Sequence, residues 1–290
     1  MEYRGYDSVG VATKSNSEIL VKKGVGRVVE VNTKVQLDNL PGMVGIGHTR
    51  WATHGEVTDK NAHPHPSNSG KIAIVHNGIV ENYEEIKEML SLKGFKFQSD
   101  TDTEVIANLI QSNFDELEDV EQTIIKTVSE LKGHFAFVVI FEDGTLAAAR
   151  FHEPLIVGIG KNSHYLSSDV LGFIEKTDDV IYLNNEDFVI INQNGLSISK
   201  FDGSKAEYQI TKVSKEFADV YKGDYAHFTL KEISEQSSTI IKAGNDERIE
   251  DVVNLISKAK NLYITGRGTS YKAARFTKYL INRGLLKDEN

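Results

Sequence analysis

Residues 133–150 read GHFAFVVIFEDGTLAAAR and decide the fold class of this chain. Two apolar runs, 135–141 and 146–150, flank Asp143-Gly144, and this dipeptide between such runs is a strong signal for a β-hairpin. Asn194-Gly195 predicts another hairpin turn further on. More short strands are predicted around it, at 155–160, 164–167, 180–183 and 187–192. This half of the chain is therefore predicted to be antiparallel sheet.

Three helices are predicted on the N-terminal side of the hairpin. The first begins after Asn82, a candidate N-cap with Glu85 three residues on, and ends at Gly94. The second begins with Thr101 and Glu104 in capping-box spacing. Helical periodicity places the following residues on buried faces: Tyr83, Ile86, Met89 and Leu90; Val105, Ile106, Leu109, Ile110 and Phe114; Val120, Ile124, Val128 and Leu131.

Two strands are predicted before these helices, at 42–48 and at 71–76, where the run KIAIVH indicates burial on both faces. Strands, then helices, then strands predict an α+β body of two antiparallel sheets covered by helices. Beyond about Val213 the pattern changes. Residues 217–241 are polar and helix-prone, and a strand at 261–265 is predicted to enter a glycine turn and a helix through Leu280.

Composition restricts the classes of function. The chain has 290 residues, enough for about two domains, and a net charge of −9, which argues against nucleic-acid binding. No apolar run is long enough to span a membrane, and the N-terminus lacks the pattern of a signal peptide, which favours the cytosol. Without cysteine the sequence can form neither a disulfide nor a thiolate metal site.

Residues 48–55, HTRWATHG, are the strongest local signal for a binding site. They hold an arginine, two histidines and the only tryptophan of the chain, directly after a predicted strand. Arg50 suits a carboxylate through bidentate pairing, and Asp102 on a later helix suits an ammonium group. The alternative interpretation is a solvated loop with a half-buried tryptophan, because loops often collect such residues.

Other polar motifs also have two interpretations. Asn77-Gly78 is either a hairpin turn or an oxyanion hole, and the helix predicted after it fits a hairpin poorly. Residues 100–104, DTDTE, either cap a helix or present Asp102 to a ligand. His63 and His65 make a weak metal site without a third ligand, so a loop-bracing role is favoured.

Residues 266–270, GRGTS, lie at a predicted strand–helix junction, where free N–H groups suit a phosphate. The spacing matches neither a P-loop nor a dinucleotide fingerprint. A strand, glycine turn and helix are typical of the start of a doubly wound α/β domain. One such unit does not bury its own sheet, so we expect the chain to be cut short at this end.

Taken together, these segments resemble the glutamine–fructose-6-phosphate aminotransferase family, whose members are glucosamine-6-phosphate synthases. The resemblance covers essentially the whole chain and rests on residues 2–8, 48–55, 61–65, 76–82, 101–107, 227–233 and 268–271. It implies an N-terminal-nucleophile hydrolase fold, the αββα sandwich of type 2 glutamine amidotransferases, over residues 1–213. An interdomain linker at 214–244 and the start of a sugar-isomerase (SIS) domain at 245–290 are then expected.

In that family a cysteine thiol attacks the side-chain amide of L-glutamine, and the released ammonia passes through a channel to aminate and isomerise fructose 6-phosphate. The resemblance implies no cofactor or metal, a homodimer when the protein is full length, and a cytoplasmic location. It also implies residue roles. Arg50, Trp51, Thr53, His54 and Asp102 would bind glutamine; Asn77 and Gly78 would form the oxyanion hole; Arg4, Tyr6 and Trp51 would close the site and gate the channel; Thr269 and Ser270 would bind the sugar phosphate.

One departure from the family is decisive for activity. The family begins with a strand carrying the cysteine, upstream of the segment that matches residues 2–8, and no cysteine is present here. We therefore expect a chain truncated at both ends and inactive alone. One alternative is a phosphoribosyl-diphosphate amidotransferase, against which Gly268-Thr269-Ser270 argues. Another is a cysteine-less glutamine sensor or regulatory module.

Overall fold

A computed structural model describes residues 2–52, 55–213, 225, 228–246, 248–266 and 268–283. The chain separates into two compact units, Met1–Tyr221 and Lys222–Asn290.

The first unit alternates between strands and helices in the order expected for layered α+β architecture. Its elements are β1 Ser8–Ser15, β2 Glu18–Val25, α1 Val28–Val35, β3 Val44–Arg50, β4 His65–Pro66, β5 Ile72–Val80, α2 Tyr83–Leu92, α3 Asp102–Leu117, α4 Val120–Glu130, β6 Gly133–Phe141, β7 Leu146–Phe151, β8 Ile156–Ile159, β9 His164–Ser167, β10 Asp179–Tyr182, β11 Asp187–Asn192, β12 Gly195–Lys200 and β13 Thr211–Lys212.

A six-stranded antiparallel sheet in the order β12-β11-β7-β6-β5-β4 forms the centre of this unit. The predicted hairpin is confirmed, because β6 and β7 pair in antiparallel register with Phe137 opposite Ala149. The second predicted hairpin joins β11 and β12, with Asn192 opposite Gly195. Local turn chemistry was therefore enough to specify both connections.

Helices α2, α3 and α4 cover one face of this sheet. Alternate residues of β6, such as Phe137 and Val139, pack there against Leu90, Ile106 and Ile110 in the main hydrophobic core. Each large side chain fully buried in this way contributes about 1.5–3 kcal/mol. Most residues of the predicted buried faces are confirmed in the core. Tyr83, Phe114 and Val120 are only partly buried and pack against it, and Met89 is 36% exposed.

The opposite face of the sheet packs on two small sheets, β2-β1-β3 and β13-β10-β8-β9. Ala12 and Ile46 of the first small sheet pack on Ala73 and Val75. The second small sheet packs through Val157 and Ile181, among others. Helix α1 lies on the first small sheet, with Val31 against Val9. The layers therefore follow the order helix, sheet, sheet, helix. The sequence predicted two sheets, whereas the second β-layer consists of two separate small sheets.

Asn82 and Thr101 are the N-cap residues of α2 and α3, as predicted, but neither side chain makes a capping hydrogen bond. The Asn82 side chain does not cap α2; it donates to the Glu130 carbonyl and accepts from the Lys132 N–H, each at 2.9 Å. Glu104 does not close a capping box with Thr101 either, since its carboxylate accepts from the N–H groups of Gln98 and Ser99. Both side chains satisfy donors or acceptors of neighbouring segments, which the helix sequence does not reveal.

The second unit contains three described helices, α5 Phe228–Gly244, α6 Ile249–Lys258 and α7 Thr269–Asn282. The helix through Leu280 is confirmed, whereas the strand predicted at 261–265 is wrong, because residues 261–266 form no strand. A strand needs a hydrogen-bonded neighbour, and no described residue supplies one here. Part of the helix-prone stretch 217–241 lies outside the described residues, and α6 was not predicted. None of the described helices is long and apolar enough to cross a membrane.

Candidate active site

A cavity of about 700 Å³ lies in the first unit, between the six-stranded sheet and the two small sheets. Strands β3, β5 and β6 and the start of α3 contribute to its walls. Most of the residues selected from the sequence for the first unit meet here: Arg4, Arg50, Trp51, Asn77, Gly78 and Asp102. Thr53 and His54 lie outside the described residues.

Arg50, the last residue of β3, is only 5% exposed. Its guanidinium donates to the carbonyl of Glu56 at 3.3 Å. Burial lowers the pKa of Arg50, and the nearby carboxylates of Asp7 and Asp102 oppose that shift. An arginine stays protonated in proteins, so the cavity wall carries a fixed positive charge.

Asp102 is the first residue of α3 and is 8% exposed. Its Oδ2 accepts a hydrogen bond of 2.9 Å from the backbone N–H of Val80 at the end of β5. The N-terminus of a helix also favours a negative charge. Asp102 is therefore held between two elements and places a carboxylate on the same cavity as Arg50.

Asn77 and Gly78 lie inside β5, opposite Ala136 and Phe135 of β6, so the hairpin-turn alternative is wrong. Strand alternation puts Asn77 on the face of Val75, and its side chain lines the cavity. Gly78 has φ +114°, and a Cβ there would collide with the carbonyl oxygen of His134. Only glycine fits this backbone without strain.

His48, His63, His65 and His76 are buried close to one another beside the cavity, and the sequence interpretation gave no role to His48 and His76. His63 Nε2 and His76 Nδ1 lie 2.8 and 3.0 Å from the hydroxyl of Thr103. His65 Nε2 lies 3.1 Å from the hydroxyl of Thr101. The bracing role predicted for His63 and His65 is thus confirmed: they connect their loop to the first turn of α3.

Burial keeps this group of histidines neutral. It lowers the pKa of His48 to about 4 and lowers that of His63, His65 and His76 as well. The neighbouring rings reinforce the shift for His63, since each added charge would repel the next. At neutral pH these side chains therefore act as hydrogen-bonding groups without charge.

Lys23 on β2 also holds the loop that carries His63. Its ammonium donates to the carbonyls of Lys60, Ala62 and Pro64 at 3.2, 2.6 and 3.1 Å. Burial lowers the pKa of Lys23 to about 8. Nothing in the sequence around Lys23 indicated this role, because all three acceptors are backbone atoms far along the chain.

Aromatic and charged groups adjoin the cavity at Trp51 and Arg4, which line it, whereas Tyr6 contacts Trp51 and is not among the lining residues. The rings of Tyr6 and Trp51 lie 5.9 Å apart and are 50% and 62% exposed. Arg4 donates to the carbonyl and the hydroxyl of Ser168 at 3.2 and 3.0 Å, and its guanidinium lies 3.8 Å from Asp169. The segment before β1 is thereby tied to the loop after β9.

Arg50, Asp102 and Asn77 therefore bring a cation, a carboxylate and a carboxamide to a single cavity, which Arg4 and Glu153 also line. This arrangement suits a zwitterion bearing a further polar group. The other pair selected from the sequence lies in the second unit. Thr269 and Ser270 begin α7 and are both exposed, after Gly268 with φ +61°.

Comparison with known proteins shows which proteins this chain is similar to. Residues 48–174 match the glutamine amidotransferase domain. The chain is 43% identical, over 98% of its length, to glutamine–fructose-6-phosphate aminotransferase (isomerizing) of Pyrococcus horikoshii and covers 48% of that protein. It is 41% identical over 97% of its length to the protein of the same name from Methanothermobacter thermautotrophicus, again covering 48%. The chain thus spans about half the length of the curated relatives it matches.

Solved structures show the same fold. The chain resembles glutamine phosphoribosylpyrophosphate amidotransferase from B. subtilis with a TM-score of 0.59 and 28% identity, over 69% of this chain and 44% of that one. The structure of an allosteric regulatory enzyme of purine biosynthesis gives a TM-score of 0.61 over the same shares. Residues 48–174 thus match a glutamine amidotransferase domain, and the chain is similar over almost its whole length to glutamine–fructose-6-phosphate aminotransferases.

Proposed function

We propose that the first unit binds L-glutamine and forms the glutaminase part of a glutamine–fructose-6-phosphate aminotransferase. The observation that supports this most is the convergence of Arg50, Asp102 and Asn77 on one cavity from three different elements. Arg50 pairs with the α-carboxylate, and Asp102 accepts from the α-ammonium. Trp51 also lines the cavity, and Thr53 and His54 are included in the proposal as further glutamine-binding residues.

In the proposed reaction a thiol attacks the carboxamide carbon of glutamine, the C–N bond breaks and ammonia leaves; water then cleaves the thioester to give glutamate. The Asn77 side chain and the Gly78 N–H stabilise the negative oxygen that forms in between. None of the 290 residues is a cysteine. With no thiol among them, these 290 residues are proposed to bind glutamine without hydrolysing it.

For the whole protein, the proposal extends to amination and isomerisation of fructose 6-phosphate. Thr269 and Ser270 at the start of α7 would bind the sugar phosphate through hydroxyls and helix N–H groups. Arg4, Tyr6 and Trp51 would close the glutamine site. The domain limits at 213 and 244, the SIS identity of residues 245–290, the homodimer and the cytoplasmic location are parts of this proposal.

Calorimetry with L-glutamine tests the glutamine site in the 290-residue chain. Asp102→Asn keeps the size of the side chain and an oxygen for the Val80 N–H, but it removes the charge that the ammonium needs. We expect its affinity for glutamine to fall by about 100-fold, since truncating a buried charge pair costs about 2–5 kcal/mol.

Asp100→Asn is the matched control. This carboxylate is exposed and pairs with Lys60 at 2.7 Å, so we expect its affinity to stay within about twofold of the wild type. A wild-type chain that binds no glutamine, or an Asp102→Asn variant that binds as tightly as the wild type, would contradict the proposed function.

A further inference from the structure

We propose that His48 is a positioning residue that decides which end of the Asn77 carboxamide faces the cavity. This inference rests on the proposed function and assigns a residue for which neither the motif analysis nor the comparisons give a role. His48 lies on β3 and Asn77 on β5, in different layers of the sandwich. Their side chains meet at the cavity wall, with His48 Nε2 2.9 Å from Asn77 Oδ1.

The surroundings of the ring select its tautomer. His48 Nδ1 is buried without any hydrogen-bond partner among the described residues. A proton on Nδ1 would be a buried donor without an acceptor, which costs about 1–3 kcal/mol, whereas a bare lone pair there is more easily tolerated. The single proton of the neutral ring therefore belongs on Nε2, which does have a partner.

Charge on the ring is excluded by the same environment. The pKa of His48 is lowered to about 4, chiefly by burial and also by repulsion from His76 and Arg50, although the hydrogen bond to Asn77 opposes the shift. The His63 ring lies next to it with a centroid distance of 4.3 Å. At neutral pH the ring is therefore neutral and presents one donor, at Nε2.

A donor at Nε2 fixes the orientation of Asn77. The N–H of His48 donates to Asn77 Oδ1, so the NH₂ group of the carboxamide points the other way and supplies donors for the cavity. If Nδ1 carried the proton instead, Asn77 would turn its NH₂ group to the ring and offer an oxygen to the ligand. An oxygen there would repel the carbonyl oxygen of glutamine and any negative charge that develops on it.

Two ligands separate positioning from general stability. L-Norvaline has the α-carboxylate and α-ammonium of glutamine but a methyl group in place of the carboxamide. We expect His48→Phe to weaken binding of L-glutamine by about tenfold and to leave binding of L-norvaline within about twofold, because only glutamine uses Asn77. His48→Gln restores a donor at similar reach and should recover most of the glutamine affinity.

Val44→Ala is the matched control, since strand alternation puts Val44 on the same side of β3 as His48, where it packs against the core cluster of Ile46 and Ala73 and is not one of the residues that line the cavity. It should leave both affinities within about twofold. Equal loss of glutamine and norvaline binding in His48→Phe would show a merely structural role and overturn the proposal.

Nitrogen NMR of the unliganded chain gives a second readout that does not depend on glutamine. A protonated Nε2 and a bare Nδ1 on His48 support the proposal, and a proton on Nδ1 overturns it. A wild-type chain that binds neither ligand but shows the Nε2–H form contradicts the proposed function while leaving the orientation of Asn77 intact. The two proposals therefore fail separately.

Discussion

Helices α3 and α7 begin with similar sequence signals, DTDT at 100–103 and GTS at 268–270, but they end in different environments. Each polar residue at the start of α3 contacts another element: Thr101 meets His65, Asp102 meets Val80, and Thr103 meets His63 and His76. At the start of α7, Thr269 and Ser270 are exposed. A helix N-terminus becomes a built site only where other elements converge on it.

The same contrast holds for packing. Leu90 of α2 is fully buried in the main core of the first unit. In α6 of the second unit, Val252, Val253 and Leu255 are 51%, 56% and 71% exposed, although the helix has a pronounced apolar face. An amphipathic pattern is sufficient for a helix to form, and burial needs a partner surface.

Acidification should produce the largest difference in folding stability between the two units. The folded pKa of His48 is about 4 against 6.5 unfolded, so the unfolded state takes up protons first as pH falls. Stability is complete above about pH 6.5 and decreases below it; between pH 7 and 5, His48 alone removes about 2 kcal/mol. His63, His65 and His76 act in the same direction. The described residues of the second unit contain no histidine.

Hydrogen exchange of the two units at pH 7 and pH 5 measures this difference. We expect lost protection in the first unit only, and a smaller loss in His48→Gln. His152→Gln serves as the control, because His152 is exposed and its replacement should leave the pH dependence unchanged. Equal protection of the first unit at both pH values would refute the assignment of buried neutral histidines.

Truncating matched leucines tests the packing contrast directly. Leu90→Ala opens a cavity in the main core and should lower the free energy of unfolding by about 3 kcal/mol. Leu255→Ala removes an exposed side chain and should change it by less than about 0.5 kcal/mol. Urea unfolding followed by hydrogen exchange in each unit gives both values. A comparable loss at Leu255 would mean that the apolar face of α6 is covered in solution.

Threonine substitutions at the starts of α3 and α7 should give the smallest difference in stability between the two units. Thr103→Val removes the hydroxyl that binds His63 and His76, leaving two buried ring nitrogens without partners, and should destabilise the first unit by about 2 kcal/mol. Thr269→Val, at an exposed position, should change stability by less than about 0.5 kcal/mol. Thermal unfolding measures the loss of stability in both variants. Equal losses would contradict the difference between the two helix starts.

Most elements of the first unit could be predicted because their signals are local. Asp143-Gly144 specifies the β6–β7 hairpin, and the apolar repeat of α3 specifies its buried face. The strand at 261–265 was predicted from the same kind of signal and is wrong. Its apolar residues Leu262 and Ile264 are exposed and have no neighbouring strand among the described residues.

For the site residues too, local signals could be recognised in the sequence, whereas contacts between distant segments could not. The charges of Arg50 and Asp102 were recognisable as ligand-binding chemistry, since the residue types alone indicate it. Contacts made across layers were not: neither Lys23 on the carbonyls of the 60–64 loop nor His48 on Asn77 follows from any spacing in the sequence. Asn82 and Thr101 lie at the predicted N-cap positions, but the side chains of Asn82 and Glu104 bind neighbouring segments and do not cap the helices.

The sequence by itself determined the type of most elements in the first unit and the chemical groups available to a site, because turn chemistry, periodicity and side-chain charge are properties of short segments. Only the tertiary structure decided which of those groups share a cavity, which are neutral and which way each one points. Burial and hydrogen-bond partners set protonation and orientation, and both come from residues far apart in the chain.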